Sequence, residues 1–303
     1  MKLFNLQNKK LHPISIKPFK LEKEIQQIIE DSLFDLFSLE VVKSEFTIKN
    51  FRIDTLGFDS ENKSFVIIEY KRDKNYSVID QGYTYLSLML NHKSDFILEY
   101  NENCEGSLLR TDIDWSQSRV IFVSPQFSDY QTNSINFKDV PFELWEIKRF
   151  ENGFFSLTQY KPTSDESITN ISGDTDSMVS KVTKEVKIFT EQSHMENSSD
   201  VIQDIYYNLR ARILNLGEIE IIPRSIYIGF KKKSNVVDIA FQKKNLWLWI
   251  NLPKGRLDDP KGITRDVSNI GHYGNGDYDL KVTPDTDLDY VMFLIKQSYK
   301  KQE

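Results

Sequence analysis

From residue 64 to 71 the chain reads Ser-Phe-Val-Ile-Ile-Glu-Tyr-Lys, and this run constrains the fold more than any other. Side chains alternate across a strand, so a half-exposed strand alternates apolar with polar residues. Phe65, Val66, Ile67 and Ile68 do not alternate. A strand apolar on both faces needs a covering layer on each side, which places it in the middle of a sheet. The run then ends in an acid and a base two apart, Glu69 and Lys71, facing one side while Tyr70 faces the other. Charges at the end of a buried strand require a partner or a task.

The surrounding pattern supplies the layers. Leu21, Ile25, Ile28, Ile29, Leu33 and Leu36 fall on one helical face of residues 21–37. Strands are expected over 40–48, 51–58 and 64–71, the last two separated by the polar turn Asp-Ser-Glu-Asn-Lys-Ser. Residues 77–92 return to helical period, and 94–100 and 119–124 read as strands. Residues 142–150 and 153–160 form a hairpin turning near Asn152-Gly153. The order is α-β-β-β-α-β plus an extension, a mixed α/β domain over residues 1–161.

A stretch rich in Ser, Thr, Asp, Glu and Asn follows, and residues 162–198 read as a polar acidic linker. Within it, Val182, Val186 and Phe189 at helical spacing predict a short helix. Residues 199–303 then form a smaller α+β domain. A helix over 199–217 starts at Ser199 and stops at Gly217. A three-strand antiparallel meander and a closing amphipathic helix follow. Trp247 and Trp249 alternate with Leu246, Leu248 and Ile250 and read as core aromatics.

Composition narrows the classes. The 303 residues include 39% hydrophobic and 13% aromatic side chains, enough for two cores. No apolar stretch approaches the ~20 residues of a membrane span, and the opening stretch has no continuous apolar run, so neither a membrane segment nor a secretory leader is expected. Cys104 is the single cysteine, which excludes an internal disulfide and a multi-cysteine zinc site. A cytoplasmic protein is the expectation. The net charge of −6 argues against non-specific coating of nucleic acid, though the last third is slightly basic.

Asp54 closes the strand next to the one that ends in Glu69 and Lys71. Both carboxylates can therefore converge on one divalent cation, and oxygen ligands suit Mg²⁺ or Mn²⁺. Such a cation activates water and polarises a phosphoryl oxygen, while Lys71 positions the water and offsets developing charge. An ordinary ion pair at a strand end is the alternative reading of the same residues.

Asp54 in "RIDTLGFD", Glu69 and Lys71 in "IIEYK", and Gln81 with Tyr85 in "QGYTY" resemble the PD-(D/E)XK nuclease superfamily. Residues 21–100 look most like its branch related to archaeal mismatch endonucleases and RecB-type domains. The resemblance implies an αβββαβ core in which Asp54, Glu69 and the Tyr70 carbonyl bind metal and Gln81 and Tyr85 face the metal or the substrate strand. It also implies an acid from the first helix; Glu30 fits better than Glu24, and a solvated surface position is the alternative. Ile53 stands where the superfamily label has proline. Arg52 and Arg72 flank the acids as candidate nucleic-acid contacts.

In the last third, "IEIIPRSIYIGFK", "LWLWINLPKG" and "DVSNIGHYGNGDYDL" resemble a domain of unknown function found behind such nuclease-like halves in so-called predicted transport proteins. Its glycine-rich loop, residues 271–277, presents His272 and Asn275 and reads either as an anion cradle or as a tight turn system. Lys231, Lys232 and Lys233, with Lys243 and Lys244, read either as a basic rim for phosphates or as solvated hairpin ends. The chain has no P-loop or dinucleotide fingerprint, so no nucleotide cofactor is expected.

Together these features predict a metal-dependent DNA endonuclease, in restriction, repair or phage defence, with RNA as the other polymer. Cutting both strands of a duplex with one site per chain favours a homodimer. The second reading is a nucleic-acid-binding protein that uses a nuclease fold without meaningful activity.

Overall fold

The structure, a computed structural model, describes residues 2–72, 77–164, 166–168 and 177–302. The chain divides into two compact units, Met1–Ile188 and Phe189–Glu303.

The first unit opens with a two-stranded ribbon, β1 (Leu3–Gln7) and β2 (Lys10–Ile14), turned by Asn8 and Lys9 at positive φ. Helices α1 (Glu22–Asp31) and α2 (Leu33–Phe37) follow, then β3 (Glu40–Ile48), β4 (Phe51–Asp59) and β5 (Ser64–Tyr70). Next come α3 (Val78–Asn91), α4 (Lys93–Asn103), β6 (Arg119–Ser124) and α5 (Asp129–Ser134). The hairpin β7 (Phe142–Arg149) and β8 (Phe155–Tyr160) and the helix α6 (Met178–Glu185) complete it. The predicted hairpin turn is present, with Asn152 and Gly153 both in left-handed conformation.

Six strands form one sheet in the order β3-β4-β5-β6-β7-β8. Pairing is antiparallel from β3 to β5, parallel from β5 through β6 to β7, and antiparallel again at β8. The sheet is therefore mixed, as expected, and β5 lies where its direction changes. All seven residues of β5 are buried. Val66, Ile68 and Tyr70 pack with Ile25 and Ile29 of α1, whereas Phe65 and Ile67 pack with α3 and α4 residues such as Leu86, Met89 and Phe96.

Two expectations change. Residues 94–100 are helical, not a strand: Phe96 and Tyr100, four apart, both reach the core while Leu98 is exposed. A strand would have sent all three to one face. The core strand expected after the second helix is β6. Residues 162–198 are not simply a tether, because Ile168, Val182 and Val186 are buried in the first unit's core and Met195 in the second's. Val182 and Val186 stand four apart and give α6 an apolar face that covers α3, so polar composition misplaced the boundary.

The second unit contains α7 (Glu191–Met195), α8 (Asp200–Leu214), β9 (Glu220–Pro223), β10 (Ile228–Lys231), β11 (Asn235–Phe241), β12 (Leu246–Ile250), β13 (Arg265–Asp266), β14 (Tyr278–Val282) and α9 (Leu288–Lys300). Its strands form an antiparallel sheet in the order β13-β14-β12-β11-β10-β9. The predicted meander is its centre. Leu246, Leu248 and Ile250 face a core closed by α8 and α9, and Trp249 is fully buried on the other face. A Cβ at Gly276 would stand 1.9 Å from the Ile250 carbonyl oxygen, so the glycine-rich loop needs that glycine to lie against β12.

Candidate active site

The site is built where β4 and β5 stop pairing; Asp54 stands within β4, not at its end as expected, because β4 goes on pairing with β3 to Phe51. Leu56 pairs with Ile67 and Thr55 with Ile68, so the next step sets Asp54 opposite Glu69. The ladder is not continued by the backbone there. Instead the Tyr70 amide donates to Asp54 Oδ2 at 3.0 Å. The carboxylate thus closes the strand pair and stands beside Glu69.

Glu69 is 4% exposed and Lys71 8%. Lys71 Nζ donates to Glu69 Oε1 at 2.7 Å, and Gln81 Nε2 donates to the same oxygen at 2.8 Å. Gln81 Nε2 also lies 3.0 Å from the Tyr85 hydroxyl, which donates to the Arg52 carbonyl at 3.2 Å. Gln81 and Tyr85 are one helical turn apart, so α3 presents both on one face. Its N-terminus is fixed by Ser77, whose Oγ accepts from the Asp80 amide. Gly82 allows close approach of the helix, since a Cβ there would meet the Phe142 ring at 2.6 Å.

The electrostatics follow from this crowding. Burial, and then the neighbouring Glu69 carboxylate, push the Asp54 carboxyl up to about 6. Burial also raises the Tyr85 phenol, so it stays protonated at neutral pH and can donate. Glu69 Oε2 is buried and has no hydrogen-bond partner among the described residues. That orphaned oxygen, beside a second carboxylate whose ionisation is disfavoured, suits a divalent cation, which satisfies the oxygen and offsets the repulsion. Among the described residues no three His, Cys, Asp or Glu side chains group as metal ligands. The side-chain share of such a site would be the two carboxylates of Asp54 and Glu69.

The structure does not bring Glu30 to this cluster. Its Oε1 accepts from Gln26 Nε2 and from the Thr55 hydroxyl, which lies 3.1 Å from the Tyr70 hydroxyl. Tyr70 faces α1, opposite Glu69, so Glu30 sits behind the sheet, where a helical acid meets a strand hydroxyl. Two other residues act at the site. Gln26, 3% exposed, donates to the Asp54 carbonyl at 2.9 Å and pins β4 from behind. Glu45 is the acid whose charge adds to the upward push on Asp54. It has a left-handed φ of 56° inside β3 and holds Lys23 and Arg52, each at 2.9 Å. Gln26 was visible as a polar residue between Ile25 and Ile29; nothing in the sequence marked Glu45.

The remaining candidates are dispersed. Arg52 is committed to Glu45, and Arg72 Nη1 donates to the Lys20 carbonyl at 2.8 Å. Lys231–Lys233 and Lys243–Lys244 do not form one rim. They lie at the two ends of β11, Lys231 as the last residue of β10 and the others in the turns, about 20 Å apart for a seven-residue strand. Lys232 rests over the Tyr299 ring at 4.0 Å. The Asn275 side-chain amide is held by the Tyr227 hydroxyl at 3.0 Å and Asp238 Oδ2 at 3.1 Å, and His272 Nδ1 by the Ile270 carbonyl at 2.9 Å. Both side chains are thus engaged within the second unit. No helix among the described residues is long and apolar enough to cross a membrane.

Among solved structures, the chain is similar to a repair endonuclease from Pyrococcus abyssi, with a TM-score of 0.27 and 18% identity over 40% of this chain and 45% of that one. It is also similar to EndoMS in a complex with double-stranded DNA, with a TM-score of 0.28 and 14% identity over 45% of this chain and 60% of that one. The chain therefore spans about half the length of these structures. Residues 191–302 match the family described as Domain of unknown function (DUF5655). Across its whole length the chain is far closer to a Haemophilus influenzae protein described as uncharacterized, with 49% identity over 99% of this chain and 100% of that protein. The chain belongs to the family of this Haemophilus influenzae protein, and in this chain the DUF5655 domain forms its second unit.

Proposed function

We propose that the protein is a divalent-cation-dependent DNA endonuclease of the PD-(D/E)XK type, active as a homodimer on duplexes. The observation that carries this reading is the convergence of Glu69, Lys71, Gln81 and Tyr85 into one hydrogen-bonded cluster at the end of a buried strand, with the Asp54 carboxylate beside it on the Tyr70 amide. A purely structural ion pair needs Glu69 and Lys71 alone and leaves no reason for a second, reluctant carboxylate beside them.

Each residue has a task in this reading. Asp54, Glu69 and the Tyr70 carbonyl would hold Mg²⁺ or Mn²⁺, which would supply Lewis-acid polarisation of the phosphoryl oxygen. Lys71, anchored on Glu69, orients water for attack on phosphorus and carries positive charge toward the crowded phosphate oxygens. Gln81 fixes the Glu69 carboxylate and the Tyr85 phenol in one rotamer pair. The reaction exchanges one P–O ester bond for a bond to the water oxygen and releases an alcohol.

The test is a cleavage assay on linear duplex, single-stranded and supercoiled DNA with Mg²⁺ or Mn²⁺, beside EDTA and Lys71→Ala controls. Cutting that requires the cation and is lost in Lys71→Ala supports the reading. DNA binding without cutting under any of these conditions overturns it in favour of a binding module.

A further inference from the structure

A cavity of about 1000 Å³ opens beyond the carboxyl ends of the three parallel strands β5, β6 and β7, and its lining includes Lys17, Lys20, Arg72, Gln126, Lys148 and Arg149. Ligands of open α/β sheets settle in this position. Arg72 directly follows Lys71, so the cavity lies at the same end of β5 as the candidate active site, with Phe19 and Ile147 of its lining on the side of the sheet that Tyr70 and α1 occupy. Five cationic side chains line it; Lys148 is ion-paired with the one acid, Glu146, and the other four leave the lining net positive in a chain whose net charge is −6.

The cations are placed by a built scaffold. Residues 15–17 run along the end of β7, with Lys17 N bonded to the Arg149 carbonyl at 2.8 Å and Glu151 N to the Ser15 carbonyl at 2.9 Å. Arg149 Nη2 donates to the Pro18 carbonyl at 2.6 Å and ion-pairs with Glu24, and Arg72 holds the Lys20 carbonyl. The two arginines thus staple the segment whose lysines line the cavity. Phe19 is buried under the Arg149 guanidinium, 4.6 Å from its ring, so this aromatic face is not offered to a base. Charge without a free stacking surface suits phosphates rather than bases.

We infer that this cavity binds the phosphodiester backbone of the DNA strand engaged at Asp54, Glu69 and Lys71, with Lys17 and Lys20 as phosphate contacts. The inference rests on the nuclease reading. It implies sequence-independent grip on one side of the cut.

The test measures binding by fluorescence anisotropy of labelled single- and double-stranded oligonucleotides in EDTA across a salt series. The full-length wild type is compared with a Lys17→Ala/Lys20→Ala variant and a charge-matched Lys9→Ala/Lys10→Ala control on the ribbon turn. All four side chains are exposed, so folding is preserved. The Lys17/Lys20 variant is expected to bind roughly tenfold or more weakly at 0.1 M salt, with a log–log salt slope shallower by about 2, one per lost phosphate contact. Inorganic phosphate at millimolar concentration should not displace the oligonucleotide, since one phosphate cannot span the lysines. An unchanged Kd and slope, with wild-type cutting intact, would overturn the inference and leave the nuclease reading standing. Equal weakening in the control would also overturn it. A wild type that neither binds nor cuts DNA removes both.

Discussion

Replacing Asp54 with asparagine removes a charge and keeps the hydrogen bond, because the amide oxygen can still accept from Tyr70 N. The folded protein holds the Asp54 carboxyl at about 6 against an ordinary 3.8, by burial first and by Glu69 second. At ~1.4 kcal/mol per pKa unit, ionising Asp54 in the fold costs up to about 3 kcal/mol, and solvent at this partly open position reduces the figure to about 1–2 kcal/mol. Since the folded pKa lies above the unfolded one, the contribution to stability is full below about pH 3.8 and is lost as the pH rises through about 6. In EDTA at pH 8, Asp54→Asn is therefore expected to be more stable than wild type, by roughly 2–8 °C in the melting of the first unit. The difference should shrink through pH 6 and vanish near pH 4. Saturating Mg²⁺ should reverse the order by stabilising only the wild type. The assay is thermal unfolding followed by circular dichroism across pH 4–8, with and without Mg²⁺. A variant no more stable than wild type at pH 8, with the same pH profile, would refute the claim that burial and Glu69 together hold the Asp54 carboxyl up.

Tyr85→Phe removes the bond to the Arg52 carbonyl and one partner of Gln81. It should cost about 1 kcal/mol of stability by urea titration and slow cleavage far less than Lys71→Ala does. Arg119 is half-buried between Asp59, at 3.2 Å, and Glu143, at 2.8 Å. Arg119→Met removes the cation shared by the two acids and should destabilise the first unit by about 2–3 kcal/mol in the same titration, below the cost of breaking a fully buried pair.

The most legible features were those in which one period dominates. β5 announced itself through a run too apolar to alternate, and the Gln81–Tyr85 spacing already implied a shared helical face. Helix α4 was misread because Phe96, Leu98 and Tyr100 mimic a strand's alternation, and only the core shows that two of the three are buried. Glu30 was a fair choice by position along α1, but the helix phase that buries Ile25 and Ile29 turns Glu30 onto Thr55. Glu45 was illegible for a different reason: its place depends on a left-handed backbone that no glycine or asparagine signals. The lysines of the second unit looked clustered because sequence separation hides that consecutive hairpin turns lie at opposite ends of their shared strand.

The Tyr70 amide has a consequence of its own. Its hydrogen bond ends on the Asp54 carboxylate, the group expected to titrate near pH 6. In an ¹⁵N-labelled sample this N–H is a built-in spectroscopic probe of the site. Its resonance should move with Asp54's protonation, and again when a cation draws charge from the carboxylate, without any engineered label or any substrate present.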